Sequence, residues 1–201
     1  MSLTKQSSAG EIARTIGTEV ASKHADSVDR QSRFPAEAVA AIKKERLMSL
    51  LIPKDLGGQG APFFEAAEVC CALAQSCAST GMIYAMHQIK TSSLISHGQN
   101  SPWHRKFMQR ISDEQLLLAS ATTEAGIGGD LRNSICAVET KGDQFTLEKM
   151  ATVISYGKYA DAILVTARKN AEAPHSDQVM VAVTKDQYTL DQIGDWDTLG
   201  M

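Results

Sequence analysis

Aromatic residues make up only 5 % of the 201-residue chain, so its core has to be built from aliphatic side chains. Long hydrophobic runs are missing too. The apolar stretch at residues 48–53 falls far short of the roughly 20 residues that a membrane-spanning helix needs, so no membrane span is expected. The opening residues, MSLTKQSSAGEIART, lack the basic-then-apolar order of a secretory signal. Basic residues are not in excess: 20 Lys and Arg face 23 Asp and Glu, a net charge of -3 that argues against nucleic acid as a partner. The cysteines are Cys70, Cys71, Cys77 and Cys136, and neither CxxC nor HxxxH occurs, so no metal site is expected. Neighbouring Cys70 and Cys71 on one helical stretch make poor disulfide geometry. Reduced thiols and a cytoplasmic location follow as the expectation.

What remains is an ordinary globular composition, 43 % hydrophobic and 21 % charged, and a compact body of this size hides about 70 % of its unfolded surface. The pattern divides the chain at about residue 115. Before it, Ile12, Ile16, Val20 and Val28 trace a helix through residues 11–30. Phe34-Pro35 opens a second helix, which ends before Ile52-Pro53 because a residue preceding proline is pushed out of the helical region. Pro62 starts a third helix carrying Ala66, Val69, Leu73 and Cys77, and Gly81 is expected to break it before a fourth stretch with Met82, Ala85, Met86 and Ile89. Ser101-Pro102 makes a cap and first turn for a fifth. Beyond residue 115 the period becomes that of strands, at 115–123, 134–139, 144–147, 162–166 and 179–183, with a polar loop at 169–178. Met82 and Met86, one turn apart, read as core filler.

The strongest local motif is Ala121-Thr122-Thr123-Glu124-Ala125-Gly126-Ile127-Gly128-Gly129-Asp130, a strand ending in two hydroxyl residues that runs into a glycine-rich loop. Glycines permit positive φ and let backbone N–H groups approach an anion, while threonine hydroxyls can meet the polar edge of a heterocycle. By itself the loop also suits a plain connection between strands. Asp130 reads as a brace for that loop rather than an acid or base.

Five segments in order, spanning nearly the whole chain, resemble the acyl-CoA dehydrogenase flavoprotein family. Phe34-Pro35 through Leu56-Gly57-Gly58-Gln59-Gly60 is similar to its FP…VPxxxGGxG stretch. Ala78-Ser79-Thr80-Gly81 with His87 resembles its AST(G)…H segment, and residues 123–130 its TEPGAGSD loop. Ile154-Ser155-Tyr156-Gly157, Ala160-Asp161 and Leu164-Val165 resemble its W(I/S)(T/S)NG…AD…LV strand, and residues 196–201 the start of its LGMR segment.

The resemblance implies an α+β protein: an N-terminal α-helical bundle over residues 1–115, then an antiparallel β-barrel-like domain over 116–201. The resemblance also leads to the expectation that the family's C-terminal helical domain, which carries the catalytic glutamate, is missing from this chain, and an apolar final turn with no closing strand makes the same suggestion of a fragment. The implied activity is FAD-dependent α,β-dehydrogenation of an acyl thioester, with hydride passing to flavin. A flavin-dependent monooxygenase of the same fold and a non-enzymatic degenerate member are the alternatives. The implied flavin contacts are Ser120, Thr122, Thr123, Gly128 and Gly129 on one segment and Val153, Ile154 and Ser155 on a second strand. His87 and Gly129 are the implied substrate contacts, and no catalytic residue is assigned; Glu124 is not taken as a base. An acyl-CoA-like substrate, an electron-accepting protein and a homo-oligomeric full-length form are the implied partners. Three departures stand out: Gly129 replaces the family's usual serine, Ala125 its proline, and Val153 a tryptophan that commonly covers the flavin.

Overall fold

The computed structural model describes residues 8–192 and 194. The segment 196–201, likened above to the LGMR motif, lies outside the described residues. The chain divides into two compact units, one reaching to Leu117 and the other covering Leu118–Asp191.

The first unit is helical. Ser8 and Glu11 form a reciprocal capping box at the start of α1 (Ala9–Ile16): the Ser8 hydroxyl accepts from the Glu11 N–H, and the Glu11 carboxylate accepts from the Ser8 N–H at 2.8 Å. A π-turn at Gly17–Ala21 carries the chain directly into α2 (Ser22–Arg30), giving the single rod expected there. Pro35 caps α3 (Ala36–Lys44). That helix ends well before Pro53, because Arg46 adopts the left-handed region and a 3-10 turn follows at Leu47–Ser49. Pro62 precedes α4 (Phe63–Ala74) as expected. The break before α5 (Ala78–His97) falls at Cys77, whose backbone is extended, and not at Gly81. Gly81 lies inside α5, where a Cβ would come within 2.6 Å of the Ala74 Cβ. Its absent side chain lets α4 and α5 approach closely, a tertiary reason that a breaker reading misses. Ser101 and Pro102 open α6 (Pro102–Glu114), with the Ser101 hydroxyl accepting from the His104 N–H.

The core of this unit is aliphatic, with Leu47, Met48, Leu50, Ile52, Leu73, Met108 and Ile111 sealed. Helix α5 also buries polar residues. Its Tyr84 hydroxyl and Gln88 amide both donate to the Leu47 carbonyl, at 3.1 and 3.0 Å. These bonds supplement the long contact of 3.3 Å by which the Leu50 N–H reaches the same carbonyl within the 47–49 turn. Met82 is 44 % exposed, so it is not the core filler expected.

The second unit is a small sheet with a hairpin. Strands β1 (Leu118–Ala121), β4 (Ala162–Arg168) and β5 (Gln178–Thr184) are ordered β1-β4-β5. Strands β2 (Glu139–Lys141) and β3 (Gln144–Thr146) form a separate antiparallel hairpin, turning at Gly142 with φ +62°. The helices-then-sheet class stands, with two refinements. The β1–β4 pair is parallel, with Ser120 beside Leu164, because some forty residues of crossover separate the two strands. Among the described residues the sheet does not close into a barrel. The expected strand at 134–139 is reduced to a single bridge between Ala137 and Arg168 before β2 begins. Ala119, Ala121, Ala160, Ile163 and Val165 make the core, against which Leu147, Ile154, Tyr156 and Val183 pack.

Candidate functional site

The glycine-rich loop begins where β1 ends. Thr123 is half-buried, and its hydroxyl engages both backbone groups of Val153. It donates to the Val153 carbonyl at 3.0 Å and accepts from the Val153 N–H at 3.3 Å. Two residues on, the Ala125 N–H donates to the Met150 carbonyl at 3.0 Å. The segments 123–125 and 150–153 therefore lie side by side. A side chain has replaced the neighbouring strand at Val153, which is why residues 153–155 form no strand, contrary to the sequence expectation. A hydroxyl has one proton to give, and that of Thr123 is committed to the chain itself. Thr122 and Ser155 bring two more half-buried hydroxyls to the same region.

Between those contacts sits Glu124, buried in the unit. Its carboxylate accepts from the N–H groups of Ile135 and Cys136 at 2.9 and 2.7 Å, and from the Lys149 ammonium at 3.1 Å. Both side chains of this ion pair are almost wholly buried. Lys149 also donates to the Thr166 carbonyl on β4 at 2.9 Å. Burial pushes the Glu124 carboxyl up, but the two backbone N–H groups and the Lys149 ammonium outweigh it and hold the group below the ordinary carboxylate range. Held ionised in this way, Glu124 is a poor proton acceptor, consistent with leaving it out as a base.

Beyond Glu124 the loop is open. Gly128 and Gly129 have φ of +56° and +86°, and a Cβ on either would meet nothing within 4 Å. Left-handed backbone rather than crowding is what asks for glycine here. Asp130 braces the loop, accepting from the Arg132 N–H and from the Asn133 amide. Beside it, Gly126, Ile127, Asp130, Asn133, Ile135 and His175 border an open hollow of about 430 Å³.

The residues singled out from sequence fall into three groups. Thr123 and Val153 touch directly, with Thr122, Gly128 and Gly129 on the same loop segment and Ser155 two residues beyond Val153. Ser120 is buried in β1, and Ile154 packs on the sheet core. His87 lies in the helical unit, fully buried, with its Nε2–H donating to the Met48 carbonyl at 2.8 Å. Lys149 was not singled out. It is 25 residues from Glu124 and stands in a polar run that reads as solvated surface, so no local pattern announces the pair.

Val153 is 37 % exposed and offers an apolar surface two residues before the half-buried Ser155. The bare backbone of Gly128 and Gly129 offers N–H groups without side-chain cover. A flat heterocycle with one polar edge and an anionic tail suits this set. Among the described residues no cluster of three His, Cys, Asp or Glu side chains is placed to hold a metal, and no helix is long and apolar enough to cross a membrane.

Residues 4–115 match the family model described as the acyl-CoA dehydrogenase N-terminal domain. The chain is 28 % identical over 163 residues to cyclohex-1-ene-1-carbonyl-CoA dehydrogenase of Geobacter metallireducens, covering 81 % of this chain and 43 % of that protein. It is 27 % identical over 144 residues to probable acyl-CoA dehydrogenase fadE25 of Mycobacterium leprae, covering 72 % of this chain and 37 % of that one. In fold it is similar to the FMN-bound structure of TdsC, a dibenzothiophene monooxygenase from Paenibacillus sp. A11-2. That match has a TM-score of 0.81 at 19 % identity, covering 94 % of this chain and 47 % of the other. The chain spans about two fifths of the length of the curated relatives it matches.

Proposed function

The chain belongs to the acyl-CoA dehydrogenase family, and on that premise we propose that it supplies the flavin bed of an FAD-dependent oxidoreductase that dehydrogenates an acyl thioester. The observation that carries the reading is the direct bonding of Thr123 to Val153, which sets the two implied flavin-binding segments on neighbouring backbone. FAD, when bound, supplies the acceptor for the hydride that leaves the substrate's β-carbon.

The chain's own residues bind and orient. In this proposal Thr122 and Ser155 present hydroxyls to the polar edge of the ring, and Val153 gives the apolar contact beneath it. Thr123 is a positioning residue, because its proton holds Val153 in place. Gly128 and Gly129 bring backbone N–H groups towards the anionic part of cofactor or thioester. Ser120 and Ile154 support the bed from within the sheet. His87 acts through the helical unit, fixing the 47–49 turn. No proton transfer is assigned to Glu124, and the base that takes the α-proton belongs, by resemblance, to the family's C-terminal helical domain. An electron-accepting protein and a homo-oligomeric whole protein are part of the same proposal.

Reconstitution with FAD tests it. The expected outcome is a yellow protein with a flavin absorption band shifted from that of free FAD. A colourless protein after dialysis would overturn the reading and favour the degenerate, non-enzymatic alternative. A flavin-dependent monooxygenase is the second reading, favoured by Gly129 and the exposed Val153 at positions where the family commonly carries serine and tryptophan. Reoxidation of the reduced protein by oxygen separates the two. Oxygen uptake suppressed by acyl-CoA supports the dehydrogenase, and fast uptake with product oxygenation supports the monooxygenase.

A further inference from the structure

The ion pair at the root of the glycine loop has no part in the function proposed above, yet it sits at the junction that this function depends on. Three consecutive residues of the loop segment each hold the other segment by a different kind of bond. The Thr123 side chain takes both backbone groups of Val153, the Glu124 side chain takes the Lys149 ammonium, and the Ala125 backbone takes the Met150 carbonyl. Glu124 then reaches across the loop to the N–H groups of Ile135 and Cys136, closing the stretch that contains Gly126, Gly128 and Gly129. Lys149 continues the chain of contacts to the Thr166 carbonyl on the central strand β4. One buried pair thus ties together the loop, the 149–153 segment and the sheet.

A buried ion pair is a poor device for stability alone. Desolvating both charges costs about as much as their attraction returns, and an apolar pair of similar volume is often neutral or better. Its geometric specificity is the stronger reason to have one. The carboxylate has two oxygens and three donors around it, which fixes its orientation and with it the spacing of three segments. The apolar alternative would pack equally well over a range of spacings.

We infer that Glu124 and Lys149 are positioning residues that hold the loop 124–136 and the segment 149–153 in the register needed to bind flavin. This rests on the flavin reading given above. The experiment compares the unsubstituted protein with Glu124→Gln, Lys149→Met and the double variant, measuring FAD affinity, the spectrum of bound flavin and amide hydrogen exchange without FAD. FAD affinity is expected to fall about tenfold or more in each variant, by analogy with the loss that follows when partners supporting metal ligands are removed. The bound-flavin band is expected to move towards that of free FAD, and the amides of Ala125, Ile135 and Cys136 to lose protection. Where a single variant leaves one charge unpaired and fails to fold, the double variant removes both charges together and carries the test. A folded double variant with unchanged FAD affinity overturns the inference, even if amide protection is lost, since that result marks a purely structural pair. An unsubstituted protein that binds no FAD overturns the flavin reading, and this inference with it. FAD binding by the unsubstituted protein with matching variants overturns the inference alone.

Discussion

A residue with no side chain holds the helical unit together. Gly81 faces Ala74 across the α4–α5 contact, where even a methyl group would lie 2.8 Å from the Ala74 Cα and 2.6 Å from its Cβ. Neither neighbour can rotate away, since one is backbone and the other is fixed to it. Gly81→Ala is therefore expected to destabilise the protein by about 1–3 kcal/mol, the usual cost of forcing extra volume into a packed site. A urea unfolding midpoint that stays put would refute this. The same residue illustrates where local reading stops. Glycine weakens a helix by itself, so a break at Gly81 is the natural inference, but the packing that repays it comes from a residue in another helix. Val153 is a parallel case at the site: the family resemblance implies a strand there, and a threonine hydroxyl from 30 residues away takes its backbone instead.

Elements were legible where their signals are local. Ser101-Pro102 marks the start of α6 in the sequence, and the structure places the serine hydroxyl on the His104 N–H at 3.4 Å. Ser101→Ala is expected to cost about 1 kcal/mol, as loss of an N-cap bond usually does, while Ser101→Asp retains most of the stability. Thermal unfolding of the two variants distinguishes a capping role from mere tolerance at an exposed helix end. Strands were legible in place but not in pairing. The runs at 162–166 and 179–183 fall within β4 and β5, since β-branched residues mark a half-buried pleat. Nothing in β1 says that it runs parallel to β4, because direction is set by the crossover between them. The stretch at 134–139 alternates convincingly, but the Glu124 carboxylate takes the N–H groups of Ile135 and Cys136 and leaves only one bridge to the sheet.

At the scale of the molecule, the change from helix period to strand period near residue 115 was readable, and so was the need for glycine in the loop, where Gly126, Gly128 and Gly129 have positive φ. The Glu124–Lys149 pair was not, since its meaning depends on a fold that brings positions 25 apart into a buried contact. Among the described residues β5 pairs only with β4, and Met180 is 41 % exposed on one face of it while Val179 and Val181 lie half-buried on the other. An apolar outer strand of this kind can pair with another chain. Met180→Lys is expected to slow self-association at high concentration while changing stability by no more than about 0.5 kcal/mol. Light scattering together with an unfolding curve checks both halves of that statement.

The π-turn between α1 and α2 has its own consequence. A π-turn closes over one residue more than an α-helical turn, so the rod from Ala9 to Arg30 contains a surplus residue at Gly17–Ala21. Losing one exposed position there, Thr18 or Glu19, would turn the bulge into ordinary helix without rotating Ile16 and Val28 off their buried side. Elsewhere in the rod, a single deletion would swing everything downstream by about 100°. Natural length variation in this helix, if it occurs at all, has one place where it comes without a change of face.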